Sequence, residues 1–347
     1  MSSNTITTTS DNHSKKWKVA IIGSGNWGSA IAKIVGTNVH QHSHLFDTDY
    51  KGHNLSDLFN QQHENVKYLP GIKINPSVKA EPNLVKACQD ANALIFVLPH
   101  QFIKQVCQQL KGNLPQDARA ISLIKGVEVN KDNVLLFSDV IEQELGISCA
   151  ALSGANIADE VAKERFSETT IACRNDKDGQ RWLQLFHTDY FRCHLTDDVA
   201  GVALCGALKN VVAVAAGLVD GLGLGNNAKA AIMRIGILEM KNFAKTYFPG
   251  VRDQTFVEQS AGVADVITSC LGGRNRKCAE AFVSSGKSFD DLEKEMLNGQ
   301  KLQGVLTAKE IHEFLEARGK VQDYPLFNIV YKIAYKGLPP QQMTAHL

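Results

Sequence analysis

The chain has 347 residues, enough for two domains that each bury a core, and its 44% hydrophobic and 21% charged residues exclude a largely disordered or collagen-like polymer. Lys and Arg number 37 against 36 Asp and Glu, a net charge of +1 with no basic run, so nucleic acid is not an expected partner. Eight cysteines without a CxxC pair, in a chain too long to need staples, read as reduced thiols in a reducing compartment.

Residues 1–16 are Ser/Thr-rich, without the apolar stretch of a secretory signal, and read as a disordered tail. From Lys18 short apolar runs alternate with helical stretches, the rhythm of a mostly parallel sheet covered by helices. Expected strands are Lys18–Ile22, His42–Phe46, Ala93–Leu98, Ala120–Ile124, Ala150–Leu152 and Thr169–Cys173. Beyond about Asp197 apolar residues recur three and four apart, which predicts helices. The expected organisation is therefore a tail at 1–16, a Rossmann-like α/β domain at 17–197 and an all-α domain at 198–347. Thr307, three residues before Glu310 and ahead of Ile311, Phe314 and Leu315, reads as a capping box that opens one of the helices.

The first strand runs directly into Gly23-Ser24-Gly25-Asn26-Trp27-Gly28, a GxGxxG turn followed by a small-residue helix start. Gly23 permits the tight turn, Gly25 lets backbone approach a pyrophosphate, and Gly28 allows close helix-on-strand packing, while the helix N-terminus offers free N–H groups to the anion. Asp47 follows 19 residues after Gly28, where a carboxylate accepts from a ribose 2′-hydroxyl and repels a 2′-phosphate, which favours NAD over NADP. Ligands of open α/β sheets bind beyond the carboxyl ends of the strands, where Phe46, Phe102, Lys125 and Ser153-Gly154-Ala155-Asn156 fall. By residue type Phe46 and Phe102 suit either a ring-binding wall or the core, and Lys125 either a substrate cation or a solvated loop lysine.

Val199–Val219 has the length and apolarity of a membrane span but carries Lys209 and Asn210 at its centre, where a lysine costs roughly 2.5–3.5 kcal/mol on insertion scales. A buried helix of a water-soluble domain fits better. Burial favours the neutral amine and moves Lys209 toward the range of a general acid or base. Further on, Asp265 precedes Thr268 and Ser269 by three and four residues on one helical face, followed by Gly272-Gly273-Arg274-Asn275. This set suits a lysine partner and a phosphate grip, or a cap with a surface ion pair. His40, His42 and His44 alternate along a strand but lack a second cluster, so no metal is expected.

Six segments, GSGNWGSAIAK (Gly23–Lys33), SLIKGVE (Ser122–Glu128), SGANIADEVA (Ser153–Ala162), GALKNVVAVAAG (Gly206–Gly217), GLGLGNNAKAAI (Gly221–Ile232) and SAGVADVITSCLGGRNRK (Ser260–Lys277), closely resemble the cytosolic, eukaryotic-type NAD-dependent glycerol-3-phosphate dehydrogenases. The resemblance runs in order from about Lys18 to about Leu338. It implies reversible hydride transfer between NADH and dihydroxyacetone phosphate, a phosphorylated triose, in a cytoplasmic homodimer without membrane or nucleic-acid partners. It implies Lys209 as proton donor and acceptor, Lys125 as substrate ligand and charge stabiliser, and Asp265 beside the catalytic lysine. Asn210, Thr268, Ser269, Arg274 and Asn275 match substrate positions. Gly23, Ser24, Gly25, Asn26, Trp27, Gly28, Phe46, Phe102, Ala158, Arg274, Lys301 and Gln303 match cofactor positions, to which the spacing argument above adds Asp47. Ser269 departs from the threonine common among relatives but keeps the hydroxyl. Ala345-His346-Leu347 loosely resembles a peroxisomal address, a minor expectation beside the cytoplasmic one.

Overall fold

Four apolar, buried residues form strand β1 (Val19–Ile22), which passes through the glycine-rich turn into helix α1 (Asn26–Asn38). The computed structural model describes residues 17–38, 41–44, 49–129, 132–297 and 299–345. The expected tail, Phe46, Asp47, His40, His346 and Leu347 lie outside them.

The main sheet adds β2 (Gln41–His44), β3 (Val78–Glu81), β4 (Ala93–Phe96), β5 (Arg119–Ser122), β6 (Cys149–Ser153), β7 (Ser167–Ala172) and β8 (Phe191–Thr196), in the spatial order β8-β7-β6-β5-β4-β1-β2-β3. Neighbours pair in parallel except β6 with β7, which are antiparallel. All six expected strands exist, with ends shifted by one or two residues, and among the described residues two strands of the main sheet were missed, as were two short two-stranded sheets, Asp49–Tyr50 with His53–Asn54 and Val127–Val129 with Val134–Leu136. Both missed strands of the main sheet are its edges: β3 alternates buried Val78 and Ala80 with polar Lys79 and Glu81, and β8 alternates similarly, so neither shows a continuous apolar run.

Apolar side chains cover both faces of the sheet. Ile21, Ile31, Ile34, Ile95 and Trp182 fill one side; Ile22, Phe96, Leu94, Ile103 and Leu110 fill the other. Helix α2 (Phe137–Leu145) packs on the second side, and α3 (Ala158–Ala162) lies against α1.

Beyond β8 the chain is helical. Asp198 Oδ1 accepts from Gly201 N at 2.8 Å and starts α4 (Val199–Gly221). By composition α4 could cross a membrane, with mean hydropathy 2.0 in its most apolar window, yet 94% of that window is buried inside this fold. Around it pack α5 (Gly225–Tyr247), α6 (Asp265–Gly272), α7 (Arg274–Ser285), α8 (Gln303–Glu316) and α9 (Pro325–Tyr335). The core around α4 also takes in Val127, Leu136, Ala151 and Ala172 from the sheet side, so the two halves share one apolar seam. All eight cysteines are buried and unpaired.

The capping box expected at Thr307 does not form. Helix α8 begins four residues earlier with Leu302 at its N-cap, and Thr307 is buried within it. A tertiary partner replaces the local hydroxyl: Asn275 Oδ1, from α7, accepts from Gly304 N at 2.9 Å.

A second long-range cap joins α5 to α9. Glu239 is buried, and its two carboxylate oxygens accept from Leu326 N at 2.7 Å and Phe327 N at 3.0 Å in the first turn of α9. Burial pushes this carboxyl up to about 7 despite the two donors. Glu239→Gln keeps one acceptor but turns an amide N–H toward the other donor, and is expected to cost about 1–3 kcal/mol of stability. Urea unfolding of both proteins checks this; an unchanged midpoint would mean that α9 does not depend on this cap.

Candidate active site

The glycine-rich turn sits where β1 ends beside β4. Gly23 has φ +114°, and a Cβ there would lie 2.5 Å from Val97 O. A Cβ on Gly28 would lie 2.0 Å from Gly23 O, so α1 could not approach the turn. At Gly25 nothing lies within 4 Å of where a Cβ would be, and Gly25 and Asn26 are exposed. This open backbone at the start of a 13-residue helix fits a dinucleotide pyrophosphate.

One brace of the turn was not anticipated. Asn65 is fully buried, donates to Ser24 O at 2.8 Å and Ser29 Oγ at 2.9 Å, and so fixes the turn to its own helix. It comes from a segment of no apparent periodicity, and no local signal marks it. Trp27 packs edge-on to Phe191, Phe102 is 41% exposed beyond β4, and Ala158 begins α3.

Lys209 lies at the middle of α4 and is only 6% exposed. Its Nζ donates to Asp265 Oδ1 at 2.6 Å and to Ser269 Oγ at 2.5 Å. The other oxygen of Asp265 accepts from Lys125 Nζ at 2.9 Å, and Lys125, just past β5, also donates to Gly154 O at 3.1 Å. One buried carboxylate thus bridges two lysines contributed by the sheet and by α4. Burial, then the charge of Lys125, lower Lys209 to about 8, with Asp265 opposing both.

Asp265 is placed by the turn before it. Residues Ser260–Ala264 form a wide helical turn broken at Gly262, where a Cβ would meet Phe256 O at 2.4 Å. Ser260 Oγ donates to Glu168 O at 2.8 Å, and Ala261 N donates to Thr170 Oγ1 at 3.2 Å, which pins the start of α6 to β7. Ser260 is a positioning residue legible only in three dimensions.

Asn210 Oδ1 accepts from Asn275 Nδ2 at 3.1 Å, so Asn210 and Asn275 join the lysine centre through α4. Ser269 shares the face of Asp265 and reaches Lys209, whereas Thr268 is half-buried beside it. Arg274 is exposed at the start of α7, its Nη1 donating to Gln300 Oε1 at 2.8 Å. Lys301 Nζ is paired with Glu293 Oε2 at 2.7 Å and Asp290 Oδ1 at 3.0 Å, which raise its pKa, and Gln303 starts α8.

The family model described as NAD-dependent glycerol-3-phosphate dehydrogenase N-terminus matches residues 18–179, and its C-terminus counterpart matches residues 198–345. The chain belongs to this family. It is 54% identical over 331 residues to the cytoplasmic glycerol-3-phosphate dehydrogenase [NAD(+)] of Homo sapiens, covering 93% of this chain and 95% of that one. It is 52% identical over 341 residues to the glycerol-3-phosphate dehydrogenase [NAD(+)] of Cuphea lanceolata, covering 95% and 91%. The solved glycerol-3-phosphate dehydrogenase of Saccharomyces cerevisiae superposes with a TM-score of 0.90 at 46% identity, over 96% of this chain and 99% of that one. This glycerol-3-phosphate dehydrogenase family member is accordingly an NAD-dependent oxidoreductase with a Rossmann-like N-terminal domain and a helical C-terminal domain.

Proposed function

We propose that the protein interconverts dihydroxyacetone phosphate and sn-glycerol 3-phosphate at the centre formed by Lys209, Asp265 and Lys125. The observation that carries this reading is the single buried carboxylate bridging two lysines beyond the strand ends, beside an open glycine-rich turn. When bound, NADH supplies the hydride. Lys209, as ammonium, donates the proton to the reduced oxygen, and Lys125 with Asn210 stabilises the charge that gathers there. Asp265 orients Lys209 and offsets its desolvation. Arg274, Asn275 and the hydroxyls of Thr268 and Ser269 hold the substrate and its phosphate. Gly23 to Gly28, Phe46, Asp47, Phe102, Ala158, Lys301 and Gln303 hold the cofactor, with Asp47 selecting against a 2′-phosphate. The enzyme is read as a cytoplasmic homodimer without nucleic-acid or membrane partners, with Ala345-His346-Leu347 as a minor peroxisomal address.

The test is loss of NADH absorbance with dihydroxyacetone phosphate, run beside unphosphorylated dihydroxyacetone and beside NADPH. Oxidation only with the phosphate and NADH is expected; NADH binding without oxidation would move the function to another substrate or to cofactor sensing.

Because Lys209 must be protonated to act as acid, kcat for reduction is expected to fall as pH rises through about 8, while kcat for oxidation rises over the same interval. Profiles in both directions that are flat from pH 7 to about 9 would contradict the assignment. Arg274→Ala removes a planar cation suited to phosphate, and a charge-assisted bond of about 1.5–3 kcal/mol translates into a KM for the triose phosphate roughly ten- to a hundredfold higher. Unchanged KM and kcat would sink that role.

A further inference from the structure

Each carbonyl reduction draws one proton from Lys209, and that proton has to be replaced. Lys209 is closed in by Asp265 and Ser269, and Asp265 is itself 1% exposed. Among the three bridged groups, Lys125 has the most accessible side chain, at 27%.

Beside Lys125, where β5 and β6 meet the first turn of α2 and the first turns of α4, lies a small pocket lined by Ser122, Lys125, Phe137, Ser138, Ser153 and Gly206, among others. It has room for about one water molecule. The hydroxyls of Ser138 and Ser153 are buried, at 2% and 4% residue exposure, and neither has a hydrogen-bond partner among the protein atoms. Folded proteins rarely leave two such groups unpaired in one pocket, and a bound water needs two to four polar partners of this kind. Phe137, Val202 and Ala203 supply apolar wall. The pocket is therefore polar where the hydroxyls stand and apolar elsewhere, which suits a single localised water.

We propose that this pocket is a bound-water site and that its water is the port through which Lys125 regains the proton that reduction ultimately removes from Lys209. The inference rests on the dehydrogenase reading above. Lys209 gives a proton to the reduced oxygen; Lys125 gives one to Asp265 Oδ2, and the neutral carboxyl so formed turns about its Cβ–Cγ bond and delivers that same proton to the Lys209 amine, leaving the carboxylate. The pocket water gives a proton to the Lys125 amine and is restored from bulk solvent. Every oxygen and nitrogen of the chain ends in its starting protonation state, and one solvent proton is consumed per carbonyl reduced. Ser138 and Ser153 are positioning residues in this scheme, since they act through the water that they hold.

The experiment compares wild type with Ser138→Ala, Ser153→Ala and the double variant, at saturating NADH and dihydroxyacetone phosphate, in H2O and in D2O. In the double variant kcat for reduction is expected to fall by about threefold or more, with a larger solvent isotope effect on kcat than wild type and unchanged KM for both ligands. Equal kcat and isotope effect in the two proteins would overturn the proposal, and so would a fall in kcat with the isotope effect unchanged, the mark of a purely structural role. Wild type lacking turnover would instead refute the dehydrogenase reading, and is seen before any variant is compared. If the double variant does not fold, Ser138→Ala decides by the same two readouts.

Discussion

Lys209→Ala is expected to lower kcat for reduction of dihydroxyacetone phosphate by about a hundred- to ten-thousandfold, the usual contribution of a positioned general acid. The expectation follows from its place at the centre of α4, with a pKa lowered by burial and by Lys125 to about 8, near the working pH of a proton donor. Among the described residues Lys209 alone bonds both Asp265 and Ser269, so water entering the vacated space is a poor substitute. NADH affinity should change little, because the glycine-rich turn belongs to β1 and α1. Steady-state kinetics with a parallel NADH-fluorescence titration checks both halves. A fall of less than about tenfold, roughly 1.4 kcal/mol of barrier, means that another group supplies the proton.

Asp265→Ala is expected to harm both folding and catalysis. Removing the bridging carboxylate leaves two lysine ammoniums facing one another at a buried site, and breaking a buried ion pair typically costs about 3–5 kcal/mol. Part of that cost is relieved if Lys209 sheds its proton. Asp265 opposes the burial and the Lys125 charge that depress Lys209, so without it the pKa falls further below about 8. The remaining reduction activity should therefore decline from a lower pH than in wild type, while a lower melting temperature reports the unpaired charge. A variant with wild-type melting temperature and pH profile would show that Asp265 does not hold this pair. Asp265→Asn is the milder control, since it keeps an acceptor for one lysine but not the charge for both.

Much of the fold was legible along the chain because its signals are local. The apolar run of β1, the glycine spacing of the turn and the lysine in an otherwise apolar α4 are each properties of adjacent residues. Lys209, Lys125 and Asp265 could likewise be singled out from burial, strand-end position and helical spacing together with the family resemblance. Strands β3 and β8 escaped because edge strands are half-polar, and the capping box failed because α8 already begins at Gln303, its first turn met by Asn275 of another helix, which leaves Thr307 inside the helix.

What the sequence by itself determined is the kind of fold, the dinucleotide turn and the chemistry available at Lys209. Tertiary structure decided that one carboxylate, Asp265, bonds both Lys209 and Lys125 across 140 residues of chain, and that Asn65 braces the turn and Ser260 pins Asp265 to the sheet. The physical reason is that periodicity and propensity act over a few neighbouring residues. A buried charge or hydrogen-bond donor is instead satisfied by whichever group folding brings within about 3 Å, at any separation in the chain.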